Sequence, residues 1–218
     1  MKAVSTITGV AAPLPLANVD TDVVIRIEHL SQCPRGELGR WALAPLRFCA
    51  DGSENPDFVL NQAGWRGAPI LVVGPNFGCG SSREHAVWAL QGLGIACIIA
   101  PSFGDIFRSN CFQNGLLPVQ LGTPEAQQLM AWLDESHQRG EPASMTVDLA
   151  AQVIRWPGGT DMNFVIEARR RTALMQGLDE IGATLTHREQ IDAWQALDRR
   201  QRPWIWETDG AQEQRRGV

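Results

Sequence analysis

Residues 69–100 read PILVVGPNFGCGSSREHAVWALQGLGIACIIA, and the rest of the chain is arranged around what they form. Pro69 to Val73 is a short β-branched run bounded by Gly67 and Gly74, which marks a buried strand. Three glycines follow within seven residues, Gly74, Gly78 and Gly80, and free the backbone to turn with positive φ. From Ser82 to Gly92 the apolar Ala86, Val87, Ala89, Leu90 and Leu93 recur at helical spacing, predicting a helix closed by Gly92 or Gly94. Ile95 to Ala100 is a second apolar run. Strand, helix and strand make a βαβ unit with parallel strands and a right-handed crossover.

The pattern repeats downstream. Ser102 predicts an N-cap, followed by a helix through Phe112, a C-cap at Gly115 and a third strand from Leu116 to Gln120. Thr123-Pro124 opens a helix that runs to about His137. Between Met145 and Ile166 the stretches TVDLA, QVIRW and MNFVI are separated by turn residues and predict antiparallel strands. Two helices are expected after them, near Glu167 to Gln176 and Thr186 to Arg199, the second opened by the capping box Thr186-x-x-Glu189. Arg169, Arg170 and Arg171 are read as a solvated helix face. Arg26 to Asn61, with weak periodicity and three prolines, is expected to be a loop-rich segment over the end of the sheet. The reading is an α/β domain over residues 1–200, with a mostly parallel central sheet, additional antiparallel strands and flanking helices. A polar, flexible tail is expected over 201–218.

Charge and cysteine usage narrow the function. The chain has 218 residues and a formal net charge of -5, with a pI near 5.4. That balance argues against nucleic-acid or anionic-membrane partners, which need clustered Lys and Arg. Thr, Gly and two prolines interrupt MKAVSTITGVAAPLPLA before a signal-peptide core can form. The five cysteines are scattered, with no C-x-x-C pair. They predict neither a disulfide framework nor an iron–sulfur or zinc ligand set, and they suit a reducing cytoplasm.

The glycine loop sits where parallel sheets bind ligands, at the carboxyl end of a strand and the mouth of a helix. Helix N-terminal amides favour an anion there, glycine lets amides approach it closely, and Arg83 adds a fork suited to a carboxylate. No Gly-Lys-Ser/Thr follows the glycines, so this is not a nucleotide phosphate loop. Two other readings stand beside a carboxylate site. Ser81-Ser82-Arg83-Glu84 satisfies a capping box with Ser81 as N-cap. Cys79 at a helix start, with His85 nearby in sequence, has the makings of a nucleophile, although a lone His85 is more often a packing residue.

Four motifs, in order, resemble the aconitase superfamily, and within it the small subunits of 3-isopropylmalate dehydratase. They are Asn18-Val19-Asp20-Thr21-Asp22, the run from Asn76 to Ala86, APSFGDIF at 100–107 with Asn114-Gly115-Leu116-Leu117-Pro118, and Gly177-Leu178-Asp179-Glu180-Ile181-Gly182. The resemblance extends to about residue 198. It implies a swivelling β/α domain of the aconitase type that closes over substrate, while a large-subunit partner carries three cysteines and a [4Fe-4S] cluster, with no cofactor in this chain. By the motif, Ser81 is the base, and Ser82 and Arg83 contact substrate oxygens. The implied reaction isomerises 2-isopropylmalate to 3-isopropylmalate by dehydration and rehydration, in leucine biosynthesis. This chain departs from the family's usual pattern at Val24-Ile25-Arg26-Ile27, where Ile-Ile-Pro-Lys is usual, and at Pro45-Leu46-Arg47, where Asp-Trp-Arg is usual. A third departure is Gln176 in place of the usual Asn before Gly177-Leu178-Asp179. The loop from Arg26 to Phe48 is therefore expected to set substrate choice, with Arg26 pairing with a substrate carboxylate. The alternatives are a dehydratase small subunit for another 2-substituted malate, such as homoaconitate or methylmalate, and a non-catalytic carboxylate-binding module.

Overall fold

The computed structural model describes residues 1–206, which form two units, Met1–Asp179 and a second beginning at Glu180. In the first unit, β1 (Thr6–Leu14) leads into the short helices α1 (Thr21–Val24) and α2 (Glu28–Gln32), a 3-10 helix (Arg35–Trp41) and α3 (Ala44–Arg47). The repeated strand–helix pattern follows: β2 (Ile70–Val73), α4 (Glu84–Leu93), β3 (Cys97–Ala100), α5 (Asp105–Asn114), β4 (Leu117–Gln120) and α6 (Thr123–Gln138). β5 (Ser144–Asp148), β6 (Val153–Arg155), β7 (Met162–Asn163) and α7 (Ala168–Gln176) complete it. The second unit holds α8 (Glu180–Leu185), α9 (Arg188–Gln201) and α10 (Pro203–Trp206). The tail expected from residue 201 lies, beyond Trp206, outside the described residues.

All seven strands form one sheet in the order β4-β3-β2-β1-β5-β6-β7. β1 to β4 pair in parallel and β5 to β7 are antiparallel, which is the fold class expected from sequence. The joint is β1, a strand the sequence reading did not anticipate. Residues 6–10 of β1 pair antiparallel with β5, and residues 11–14 pair in parallel with β2. The runs ILVV and CIIA are apolar throughout because both faces of the sheet are covered. Leu71, Val73 and Ile98 face a core shared with Ala86, Val87, Ala89 and Leu90 of α4. Ile70, Val72, Cys97 and Ile99 face a second core shared with Leu129 and Leu133 of α6. Pro118 is tolerated in β4 because β4 is an edge strand.

Three cap assignments made from sequence do not hold. α4 starts at Glu84 with Arg83 as its N-cap, so Ser81 lies outside the helix. α5 is capped by Gly104, and the Ser102 hydroxyl instead accepts the Asn76 amide at 2.8 Å. α9 is capped by His187, while the Thr186 hydroxyl donates to the Ala183 carbonyl. For Ser102 and Thr186 a backbone partner close by in the structure takes the hydroxyl that local capping needs. Arg170 is also less solvated than its run predicts, since its guanidinium lies 4.7 Å from the centre of the Phe112 ring and pairs with Glu167 at 3.4 Å.

The loop-rich segment is held by polar staples. The Asn61 side-chain amide donates to the carbonyls of Arg47 and Asn55 at 2.7 and 2.8 Å. Arg66 makes a two-pronged pair with Glu54, at 2.9 and 2.6 Å. The hydrogen bond from Arg66 holds the Glu54 carboxyl below its ordinary pKa. A depressed carboxylate contributes stability above its unfolded pKa, and that contribution disappears as pH falls through the folded value. The difference in urea midpoint between wild type and Glu54→Gln is therefore expected to be present at neutral pH and to close below about pH 4; a difference independent of pH would remove the pair from the stability of this segment.

Candidate active site

Because β1, β2 and β3 are parallel neighbours, the loops that leave them emerge on one edge of the sheet. Backbone bonds zip these loops together beyond the strands. Gly78 donates to the Val19 carbonyl at 2.7 Å, and Thr21 donates to the Cys79 carbonyl at 2.9 Å. On the other side, Phe77 donates to the Ser102 carbonyl and Gly104 to the Phe77 carbonyl, at 3.2 and 2.9 Å. The side chains of Asn76 and Asn18, both with positive φ, are joined at 2.8 Å. The loop after β2 is thus held as an irregular extra strand between its neighbours.

This close approach explains the glycines. A Cβ on Gly104 would stand 2.5 Å from the Gly78 carbonyl oxygen, and one on Gly78, at φ +72°, would run into the Phe107 ring. The amides of Gly74 and Gly78 are engaged by the Leu14 and Val19 carbonyls. Those two glycines therefore serve packing, and their N–H groups do not reach an anion as the sequence reading expected.

Ser81 and Ser82 are exposed where the zipped loop meets α4. The Ser81 carbonyl accepts the Thr21 hydroxyl at 3.1 Å, which ties down the backbone at this exposed serine. Arg83 is extended, and its side chain is only 15% exposed, paired with the half-exposed carboxylate of Asp22. Asp22 lies on α1, whose N-terminus is capped by the Asp20 carboxylate accepting the Val23 amide at 2.8 Å. The structure thus joins two of the sequence motifs, 18–22 and 76–86, into one constellation of two serine hydroxyls, a mostly buried guanidinium and a carboxylate. Asp22 was within a quoted motif but had no assigned role; only its pairing with Arg83 gives it one.

The other candidates separate from this group. His85 packs its ring on Trp88, with centroids 4.7 Å apart, and among the described residues no hydrogen bond joins it to Cys79, so the geometry favours the packing reading. Arg26 is exposed and lines a depression of about 840 Å³ with His29, Arg40, Trp41, Pro45 and Arg47. Ser81, Ser82 and Arg83 are not among its walls. His29 stacks on Trp41 there, 4.2 Å apart and nearly parallel. Arg47 acts as a backbone clamp, donating to the carbonyls of Gly39, Arg40 and Ala42 at 3.3, 3.2 and 3.1 Å, and desolvation lowers its pKa. Cys97 and Cys111 are core residues whose thiol pKa values are pushed up by burial. Among the described residues, no three His, Cys, Asp or Glu side chains converge as a metal site.

Comparison with known proteins gives the chain a family. Residues 1–124 match the aconitase C-terminal domain. Over 205 residues, 94% of this chain and 97% of the other, the sequence is 50% identical to the 3-isopropylmalate dehydratase small subunit of Rhodospirillum rubrum. It is 48% identical to that of Brucella canis over 198 residues, 91% of this chain and 96% of the other. The fold resembles the crystal structure of 3-isopropylmalate dehydratase from Methanocaldococcus jannaschii, with a TM-score of 0.60 at 23% identity, covering 87% of this chain and 99% of that one. The fold is that of the aconitase C-terminal domain class. Within that class, the chain belongs to the family of 3-isopropylmalate dehydratase small subunits.

Since Ser81 caps no helix, its replacement has little structural cost. Ser81→Ala is expected to change the unfolding free energy of the isolated chain by less than about 0.5 kcal/mol, measured by urea denaturation. A loss near 1 kcal/mol, typical of a removed N-cap, would restore the capping role.

Proposed function

We propose that this chain is the small subunit of a cytoplasmic two-chain hydro-lyase that isomerises 2-isopropylmalate to 3-isopropylmalate, in leucine biosynthesis. The observation that carries the reading is the seating of Arg83, a mostly buried guanidinium at the start of α4 beside two exposed serine hydroxyls, in a chain half identical to named small subunits. In this reading the guanidinium and the Ser82 hydroxyl hold substrate carboxylate oxygens. The Ser81 Oγ takes the proton from the carbon beside the carboxylate. A serine is a weak base, and two features of this chain favour its anion: the Arg83 charge nearby and the N-terminus of α4, worth about 0.3–1 kcal/mol. Water returned at the adjacent carbon completes the isomerisation. A [4Fe-4S] cluster, expected in the large-subunit partner, supplies Lewis acidity to the departing hydroxyl.

Catalysis thus needs both chains. The isolated chain is expected to show no turnover of 2-isopropylmalate, with activity appearing on anaerobic mixing with the large subunit. In that complex, Ser81→Ala should lower kcat by roughly 10²–10⁴ while leaving KM near wild type. Turnover by this chain alone, or an active Ser81→Ala complex, would sink the assignment; binding of the substrate without turnover in the complex would favour a carboxylate-binding module.

A second reading rests on the depression lined by Arg26 and Arg40. Two guanidinium groups suit a further carboxylate, whereas an isopropyl group is matched by an apolar wall. A different 2-substituted malate would then be the preferred substrate. Relative kcat/KM for isopropylmalate, methylmalate and homocitrate-type acids is expected to shift toward isopropylmalate in Arg26→Pro; an unchanged ranking would exclude Arg26 from substrate choice.

A further inference from the structure

Asn114, the last residue of α5, sits half-buried at the centre of a polar network that runs to the start of α4. Its side-chain amide nitrogen donates to the Glu84 carboxylate at 2.8 Å and to the Asn110 carbonyl at 2.9 Å. Its side-chain oxygen accepts the Trp88 indole N–H at 2.8 Å and the Arg35 guanidinium at 3.2 Å. Its main-chain carbonyl accepts the Gln91 side-chain amide at 2.8 Å. Glu84, Trp88 and Gln91 are spaced by four and three residues, so one residue grips a single face of α4 along its first two turns. The Arg35 guanidinium also lies 4.2 Å over the Trp88 ring, which ties the 3-10 helix into the same grip.

Only a carboxamide fills this position. It must donate two N–H groups and accept two at the same time. Rotating the amide by half a turn would set nitrogen against the Trp88 and Arg35 donors, so the orientation is determined by the partners. An aspartate would keep the two acceptors, lose both donors and set a carboxylate against Glu84.

Arg83 is the N-cap of α4 and immediately precedes Glu84. The rotation of α4 about its axis therefore sets where the guanidinium and the neighbouring serines stand. We infer that Asn114 is a positioning residue for the reaction, holding the first turn of α4 through Glu84 and Trp88 so that Arg83 is presented to substrate. The inference rests on the proposed role of Arg83, and two measurements separate the two claims.

The first needs neither substrate nor partner. In the isolated chain, Asn114→Asp is expected to speed amide hydrogen exchange in peptides covering residues 81–91 about tenfold, as for loss of a hydrogen bond to a charged group, with the β2 and β3 peptides unchanged. The second is kinetic, in the complex with the large subunit. Asn114→Asp should raise KM for 2-isopropylmalate and lower kcat/KM by about tenfold. The double variant Glu84→Gln with Asn114→Asp restores a donor between the two side chains and should recover kcat/KM to within about threefold of Glu84→Gln alone. Should Asn114→Asp fail to fold, Glu84→Ala removes the same bond without adding a charge and should change exchange and KM in the same direction. Wild-type exchange and kinetics in these variants, or a double variant no better than Asn114→Asp, would overturn the positioning role. A wild-type complex that fails to turn over 2-isopropylmalate would overturn the assigned reaction, and the exchange measurement would still decide on Asn114.

Discussion

The structure depends on β1 being hydrogen-bonded along both edges at once. Its first half is antiparallel to β5 and its second half parallel to β2, so the parallel and antiparallel halves of the sheet share one strand. Because β1, β2 and β3 run the same way, their carboxyl ends lie together, and the loops 18–22, 74–83 and 100–104 can continue the ladder beyond the strands. Were β1 absent from this place, Asp22 would have no reason to meet Arg83. The site is a consequence of strand order.

Glycine makes that continuation possible through its missing side chain more than through its free amides. Gly104 lets its loop pass the Gly78–Cys79 backbone at contact distance, and Gly78 leaves room for the Phe107 ring, which packs with Phe77 and Phe103. The same device recurs on the far side of α4, where Gly39 of the 3-10 helix meets Gly92 backbone to backbone. α4 is therefore constrained along its length by close backbone contact and by the polar network around Asn114, and its first residues inherit that rigidity. Two exposed serines can then occupy a fixed position without being buried, which is what a group that must touch a ligand requires.

The pairing of Arg83 with Asp22 gives the site a specific electrostatic state. A guanidinium with most of its side chain covered needs a counter-charge, and Asp22 of the adjacent α1 supplies one while staying half open to solvent. In the proposed function, a substrate carboxylate approaching from that open side would meet a cation already held in place.

How much of this was legible in the chain follows from how local each signal is. The strands β2 and β3, the helices α4 to α6 and the motif from Asn76 to Ala86 are written in contiguous runs: two-sided burial makes a strand apolar throughout, and the helical period marks its covering face. The four motifs were enough to indicate the family and to nominate Ser81, Ser82 and Arg83. β1 escaped notice because its sequence, TITGVAAPL, mixes a one-sided half with a two-sided half around a glycine and a proline, and neither pattern persists long enough to register. The capping patterns at Ser81, Ser102 and Thr186 matched locally, yet the helices begin elsewhere, and the hydroxyls of Ser102 and Thr186 are taken by other partners. The partner of Arg83, the separation of Arg26 from the serines and the grip of Asn114 on α4 join residues far apart in sequence. Sequence specifies which chemical groups are present and which local turns they prefer; only the register of three parallel strands decides which of those groups meet.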